Sequence, residues 1–181
     1  MGANLPSNAG PPDATLAAAA ARLEELGRVI ARSSLYSTAP VGYSDQPRFF
    51  NAVAALETEL TSFELLGALL LIEKEFGRNR VLNLQNGPRT LDLDILLFCD
   101  FVIGGATLEI PHPRLAERAF ALIPLNEIAP DAMDPRSGRT VSQLTESLFP
   151  VPGNDIDAVV QIESEHWRAG AGADSANGNE P

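Results

Sequence analysis

Basic residues are scarce in this chain: 13 Lys and Arg stand against 24 Asp and Glu, for a formal charge of -11. A general nucleic-acid binder needs a basic face, so that class is excluded, although an acidic chain can still hold a nucleotide in a local arginine cluster. Cysteine is reduced to Cys99, which rules out an internal disulfide framework and suits a reducing compartment. Its apolar neighbours Phe98 and Phe101 predict a buried, inert thiol. Long apolar runs are missing too. The longest uncharged one, near residues 65–72, falls far short of the ~20 residues that span a bilayer. No basic segment followed by an apolar one opens the sequence, so the expected setting is the cytoplasm, with no membrane or nucleic-acid partner.

With 181 residues the chain can bury a core without staples. Residues 1–167 are expected to form a single domain, and residues 168–181, mostly Gly, Ala, Asn and acidic, a disordered tail. Pro11, Pro12 and Asp13 precede an alanine-rich run that stops at Gly27, which predicts a helix over about residues 14–26. Val29, Ile30, Leu35 and Tyr36 predict a strand over residues 29–37. Residues 51–60 predict a second, and the two flank a long loop over residues 38–50. Thr61 and Glu64 form a capping box ahead of Leu65, Leu66, Leu69, Leu70 and Ile72, with Gly77 as the stop, so a second helix follows. Further helical segments are expected near residues 114–122 and 141–148.

The run Gly87-Pro88-Arg89-Thr90-Leu91-Asp92-Leu93-Asp94-Ile95-Leu96-Leu97-Phe98 carries the chemistry. From Leu91 onward it is apolar and β-favouring, and residues i and i+2 of a strand share a face, so Asp92 and Asp94 point the same way. Adjacent carboxylates on one face can hold divalent metal, and Mg²⁺ bound by one or two carboxylates plus substrate phosphates is the usual arrangement in phosphoryl transfer. Arg89, just upstream, can grip a phosphate. A solvated sheet face with Arg89 paired to either carboxylate would use the same letters. Apolar Leu96 and Phe98 further along, and the defined Gly-Pro entry, weigh against it.

This run resembles the signature of the 6-hydroxymethyl-7,8-dihydropterin pyrophosphokinase family. The resemblance continues in order through Thr38-Ala39-Pro40-Val41-Gly42, Asp45-Gln46-Pro47-Arg48-Phe49-Phe50-Asn51-Ala52, Ile72-Glu73, Gly77-Arg78-Asn79-Arg80, Ile110-Pro111-His112-Pro113-Arg114, Arg118-Ala119-Phe120 and Pro124-Leu125-Asn126-Glu127-Ile128-Ala129-Pro130. It implies a ferredoxin-like α+β sandwich with C-terminal additions, and an enzyme that moves diphosphate from ATP to a pterin alcohol in folate biosynthesis, acting as a monomer. By the resemblance, Asp92 and Asp94 hold two Mg²⁺ ions. Arg78, Arg80, Arg89, His112 and Arg118 grip the ATP phosphates, with Arg80 and Arg89 also counted as catalytic beside the two aspartates. Phe49 and Phe120 stack on the pterin, while Asn51, Thr38 and the backbone of Pro40, Val41 and Gly42 read its edge.

Three departures accompany the match: Asn86 stands where members often carry Trp, Leu70 where some carry Gln, and Thr107 where some carry Arg. Weaker ATP binding is expected from them. The family fold opens with a strand, whereas Met1-Gly2-Ala3-Asn4-Leu5 resembles the segment just after it, so a first strand missing from the sequence and a start site upstream are expected. The alternatives are a non-catalytic ferredoxin-like ligand-binding module or decayed enzyme and, remotely, an RNA-binding sheet. Two crowded carboxylates kept without a cation would be costly, which argues against decay.

Overall fold

The computed structural model describes residues 1–42, 44–79, 87–148 and 159–169. Its first half runs β1 (Gly2–Ala3), α1 (Pro12–Leu23), β2 (Arg28–Arg32), β3 (Leu35–Thr38), β4 (Phe49–Asn51), β5 (Ala54–Glu57) and α2 (Ser62–Glu75). After the signature run come a 3-10 turn (Leu115–Glu117), α3 (Ala119–Ile128), β6 (Met133–Asp134), β7 (Arg139–Thr140), α4 (Val141–Glu146), β8 (Val159–Ile162) and α5 (Glu165–Ala169). The architecture is α+β, with helices laid on antiparallel strands ordered β1-β4-β3-β8, beside the pairs β2-β5 and β6-β7.

The Thr61 hydroxyl accepts from the Glu64 amide while the Glu64 carboxylate accepts from the Thr61 amide, so the predicted capping box starts α2. Leu65, Leu69 and Ile72 of that helix pack with Leu16 and Ala19 of α1 and with Leu91 and Leu93 in one core. A second core gathers Val53, Leu115, Leu122, Leu125, Val141 and Leu144. Pro124 lies inside α3, which therefore outruns the expected end at residue 122; lacking an N–H, it leaves the Phe120 carbonyl without its i+4 donor.

Several expectations are corrected. Gly2 and Ala3, read above as the segment after a first strand, themselves form a strand, paired with Asn51 and Phe50. On the other side Gly2 exchanges backbone hydrogen bonds of 2.9 and 2.7 Å with Asp92. The strand foreseen over residues 29–37 divides at Ser33, whose hydroxyl takes the Val53 amide at 2.9 Å and thereby kinks the hairpin between the β2-β5 and β3-β4 pairings. The first helix starts two residues early, at Pro12, and ends at Leu23. Beyond the Asp92 bridge, residues 93–98 are in no strand ladder among the described residues. Cys99 is exposed rather than buried, because it sits at φ +48° in a turn that leaves Phe98 and Phe101 stacked on one another at 5.9 Å.

Arg168 and Ala169, expected in a tail, end helix α5; residues 170–181 lie outside the described residues. The helix is fastened by Trp167, which is 7 % exposed. Its indole N–H donates to the Ser33 carbonyl at 3.0 Å, and the Arg32 guanidinium lies 4.3 Å from its ring centroid. Asp13 of α1 accepts from Ser164 at 2.7 Å and contacts His166 at 3.0 Å. Burial alone would raise that carboxyl, but these hydrogen bonds outweigh it and hold Asp13 below its ordinary range. Trp167→Ala is expected to lower stability by about 3 kcal/mol and Tm by roughly 10 °C. Urea and thermal melts check this, and an unchanged midpoint would contradict the role given to the indole.

Candidate active site

Leu91 and Leu93 are buried in the first core, so alternation turns Asp92 and Asp94 to the opposite face, as the spacing predicts. The backbone between them is held from below. Glu73 of α2, 1 % exposed, accepts the Leu93 amide at 2.9 Å. Gly2 fixes the Asp92 backbone on its other flank.

Cations close in on the two carboxylates. Arg89 Nη1 lies 3.0 Å from Asp92 Oδ2 and Arg78 Nη2 lies 3.4 Å from Asp92 Oδ1. Arg78 also donates to the Leu91 carbonyl at 3.2 Å. Asp94, whose side chain is 41 % exposed, has Arg118 Nη1 at 3.9 Å. That guanidinium also lies 3.2 Å from His112 Nε2. The structure thus brings Arg78, Arg89, Arg118, His112, Asp92 and Asp94 together, while Arg80 and Asn86 lie outside the described residues. The Arg89 Nε–H and the Thr90 hydroxyl are buried without a hydrogen-bond partner among the described residues, donors suited to an acceptor-rich anion.

His112 Nδ1 accepts the Arg114 amide at 3.1 Å, and Nε2 faces Arg118. A neutral imidazole can accept at one nitrogen only, so protonation would forfeit the Arg114 bond and set like charges together. Burial, with Arg118 and Arg114 nearby, lowers the His112 pKa against the opposing pull of Asp94 and Asp92. Burial likewise lowers that of Arg118.

The aromatic residues join the same cluster. The Arg89 guanidinium lies 5.0 Å from the Phe49 ring centroid and that of Arg118 lies 5.5 Å from Phe120. Behind them the buried Asn51 amide donates to Thr38 Oγ1 at 2.7 Å. A Cβ on Gly2 would come within 2.9 Å of Asn51 Oδ1, so a side chain here would have to displace that buried amide. Pro40, Val41 and Gly42 follow Thr38 out of the sheet; Val41 is 55 % exposed and Gly42 has φ +88°, a conformation that favours glycine.

The family model of 7,8-dihydro-6-hydroxymethylpterin-pyrophosphokinase (HPPK) matches residues 2–130. The chain belongs to this family. It is 46 % identical over 142 residues to 2-amino-4-hydroxy-6-hydroxymethyldihydropteridine pyrophosphokinase of Pseudomonas aeruginosa, covering 77 % of this chain and 86 % of the relative. To the protein of the same name from Bacillus subtilis it is 46 % identical over 126 residues, 68 % of this chain and 74 % of the relative. It is also 41 % identical over 121 residues to folic acid synthesis protein fol1 of Pneumocystis carinii, covering 67 % of this chain but 16 % of that protein.

The HPPK match contains every residue of the cluster and ends before β6, so the elements from β6 to α5 lie outside it. Two residues of this HPPK-family site were not foreseen as members of it, Glu73 and Asn4. The only signal for the first was a carboxylate at a position of α2 that its apolar neighbours mark as core-facing. Nothing in local pattern marks Asn4, whose Oδ1 accepts the Arg89 amide at 2.7 Å. Because the folded pKa of His112 is depressed, its contribution to stability is present above the unfolded value of 6.5 and is lost as pH falls through that range toward the folded value. Urea melts of the ligand-free protein at about pH 7.5 and pH 5 should therefore show a smaller loss for His112→Gln than for the parent, and equal losses would contradict the assignment.

Proposed function

We propose that this chain transfers diphosphate from ATP to the hydroxymethyl oxygen of 6-hydroxymethyl-7,8-dihydropterin, releasing AMP, in folate synthesis. The observation that carries this reading is the convergence of three arginines on two carboxylates of one extended segment inside the matched region. In the reaction the pterin oxygen bonds to the β-phosphorus, the bond from that phosphorus to the α-phosphate oxygen breaks, and the hydroxyl proton is released. No covalent nucleophile of the protein is needed, and positioning with charge stabilisation supplies the catalysis.

Arg89, Arg78 and Arg118 bind the polyphosphate through guanidinium donors, with Arg80 and His112 as further contacts. Their present carboxylate partners keep these side chains at the site until phosphate oxygens replace them. Phe49 and Phe120 stack on the flat pterin, and Asn51, Thr38 and the backbone of Pro40, Val41 and Gly42 read its edge. Oxygen donors on Asp92 and Asp94 have the hard-ligand chemistry that Mg²⁺ requires, and since no three His, Cys, Asp or Glu side chains cluster as a cation site among the described residues, two Mg²⁺ ions held there would share ATP oxygens and offset the charge developing on phosphate. Leu70, Thr107 and Asn86 weaken nucleotide binding relative to members with Gln, Arg and Trp there.

The α+β order supports a ferredoxin-like sandwich with C-terminal additions, in one domain over residues 1–167. The chain acts as a monomer, as the family resemblance implies. One cysteine suits a cytoplasmic setting, and no helix among the described residues is long and apolar enough to cross a membrane.

Assays of AMP release from ATP and Mg²⁺, with and without the pterin, test the reading. Release should require the pterin and fall by roughly 10²- to 10³-fold in Asp94→Ala. That surface substitution should leave Tm nearly unchanged, which separates lost chemistry from lost folding. A folded parent giving no pterin-dependent AMP would favour a binding module instead.

A further inference from the structure

Asn4 is 3 % exposed, in the turn that leaves β1, and every hydrogen-bonding group of its carboxamide is engaged. Nδ2 donates to Gln46 Oε1 at 3.0 Å and to the Pro47 carbonyl at 3.1 Å. Oδ1 accepts the Arg89 amide at 2.7 Å, and the Asn4 amide returns a 3.0 Å bond to the Arg89 carbonyl. One residue therefore ties the loop between β3 and β4 to Arg89: its side chain holds the loop and the Arg89 amide, and its backbone N–H holds the Arg89 carbonyl. That loop begins beside Pro40–Gly42 and ends at Phe49, over whose ring the Arg89 guanidinium lies. A carboxamide is the one neutral group of this size with two donors and an acceptor in a fixed plane, and at such burial each broken bond leaves a polar atom unsatisfied.

We infer that Asn4 is a positioning residue that couples the nucleotide and pterin sites. This rests on the function proposed above. Phosphate bound by Arg89 orders one end of the bonded unit and pterin bound against the loop orders the other, so whichever ligand binds first has already met part of the ordering cost of the second. Linkage makes the effect reciprocal. Asn4 touches neither ligand, so its removal should abolish the dependence of one affinity on the other rather than either site.

Calorimetric titration with 6-hydroxymethyl-7,8-dihydropterin, with and without Mg²⁺ and α,β-methylene-ATP, reads the coupling as a ratio of two Kd values. The parent is expected to show a ratio of about 5 or more. Asn4→Asp keeps the acceptor for Arg89 but sets a carboxylate oxygen against the Pro47 and Gln46 oxygens, and should bring the ratio close to 1. Gln46→Ala, at a half-buried loop position, cuts one arm without a buried charge and should reduce the ratio even if Asn4→Asp does not fold. A parent that makes pterin-dependent AMP yet shows a ratio near 1, or variants that keep the parent ratio, would overturn the coupling alone. A parent without pterin-dependent AMP would overturn the function and the coupling together.

Discussion

Gly2 lies between two segments: its N–H and C=O are both bonded to Asp92 on one side, and on the other it stands opposite Asn51 in a ladder whose adjacent bonds run between Met1 and Ala52. Everything in the site is measured from that contact. A strand of two residues sets the Asn51 amide and the Asp92 carboxylate one strand's width to either side of it. A Cβ at its first position would meet Asn51 Oδ1 at 2.9 Å, so any side chain there has to push the amide aside. Strand spacing is among the least adjustable lengths in a protein, near 4.8 Å per step. The distance between the amide side and the carboxylate side is thus set by backbone geometry, not by flexible side chains.

On this frame the charges are mutually dependent. Asp92 is flanked by two guanidinium groups, Asp94 by one, and Glu73 lies fully buried beneath the backbone that joins them. A chain with a net charge of -11 concentrates part of its small stock of cations in this one place. Partly buried arginines need anionic company whatever else is bound, and the two aspartates supply it. An incoming polyphosphate would exchange one set of oxygens for another instead of filling a site of bare positive charge.

What could be read from the letters was local. The Thr61/Glu64 box, the alternation through Asp92 and Asp94, and the helix stop at Gly77, which has φ +82°, follow from neighbours within a few positions, and the ordered blocks of the family resemblance supplied the proposed site's membership. What escaped depends on partners far along the chain. Gly2 and Ala3 are a strand only because Asn51 and Asp92 lie on either side. Cys99 is exposed because a turn, not its apolar neighbours, decides its direction. Residues 168–169 are helical because Trp167 reaches Ser33, which is 134 positions away. Glu73 and Asn4 were invisible as site residues for the same reason, since each acts on the backbone of another segment.

Strand β8 pairs with β3 from Leu35↔Ile162 to Thr38↔Val159, and so closes an edge of the sheet with residues from the other end of the chain. Contacts of such sequence separation form late and slow folding. During synthesis, β3 is complete long before its outer neighbour has been translated. Throughout that interval its unpaired amides and carbonyls offer an edge to any extended segment nearby, which is where a growing chain is most exposed to mispairing. Among the described residues the last strand to emerge from the ribosome is therefore also the one that closes this exposed edge.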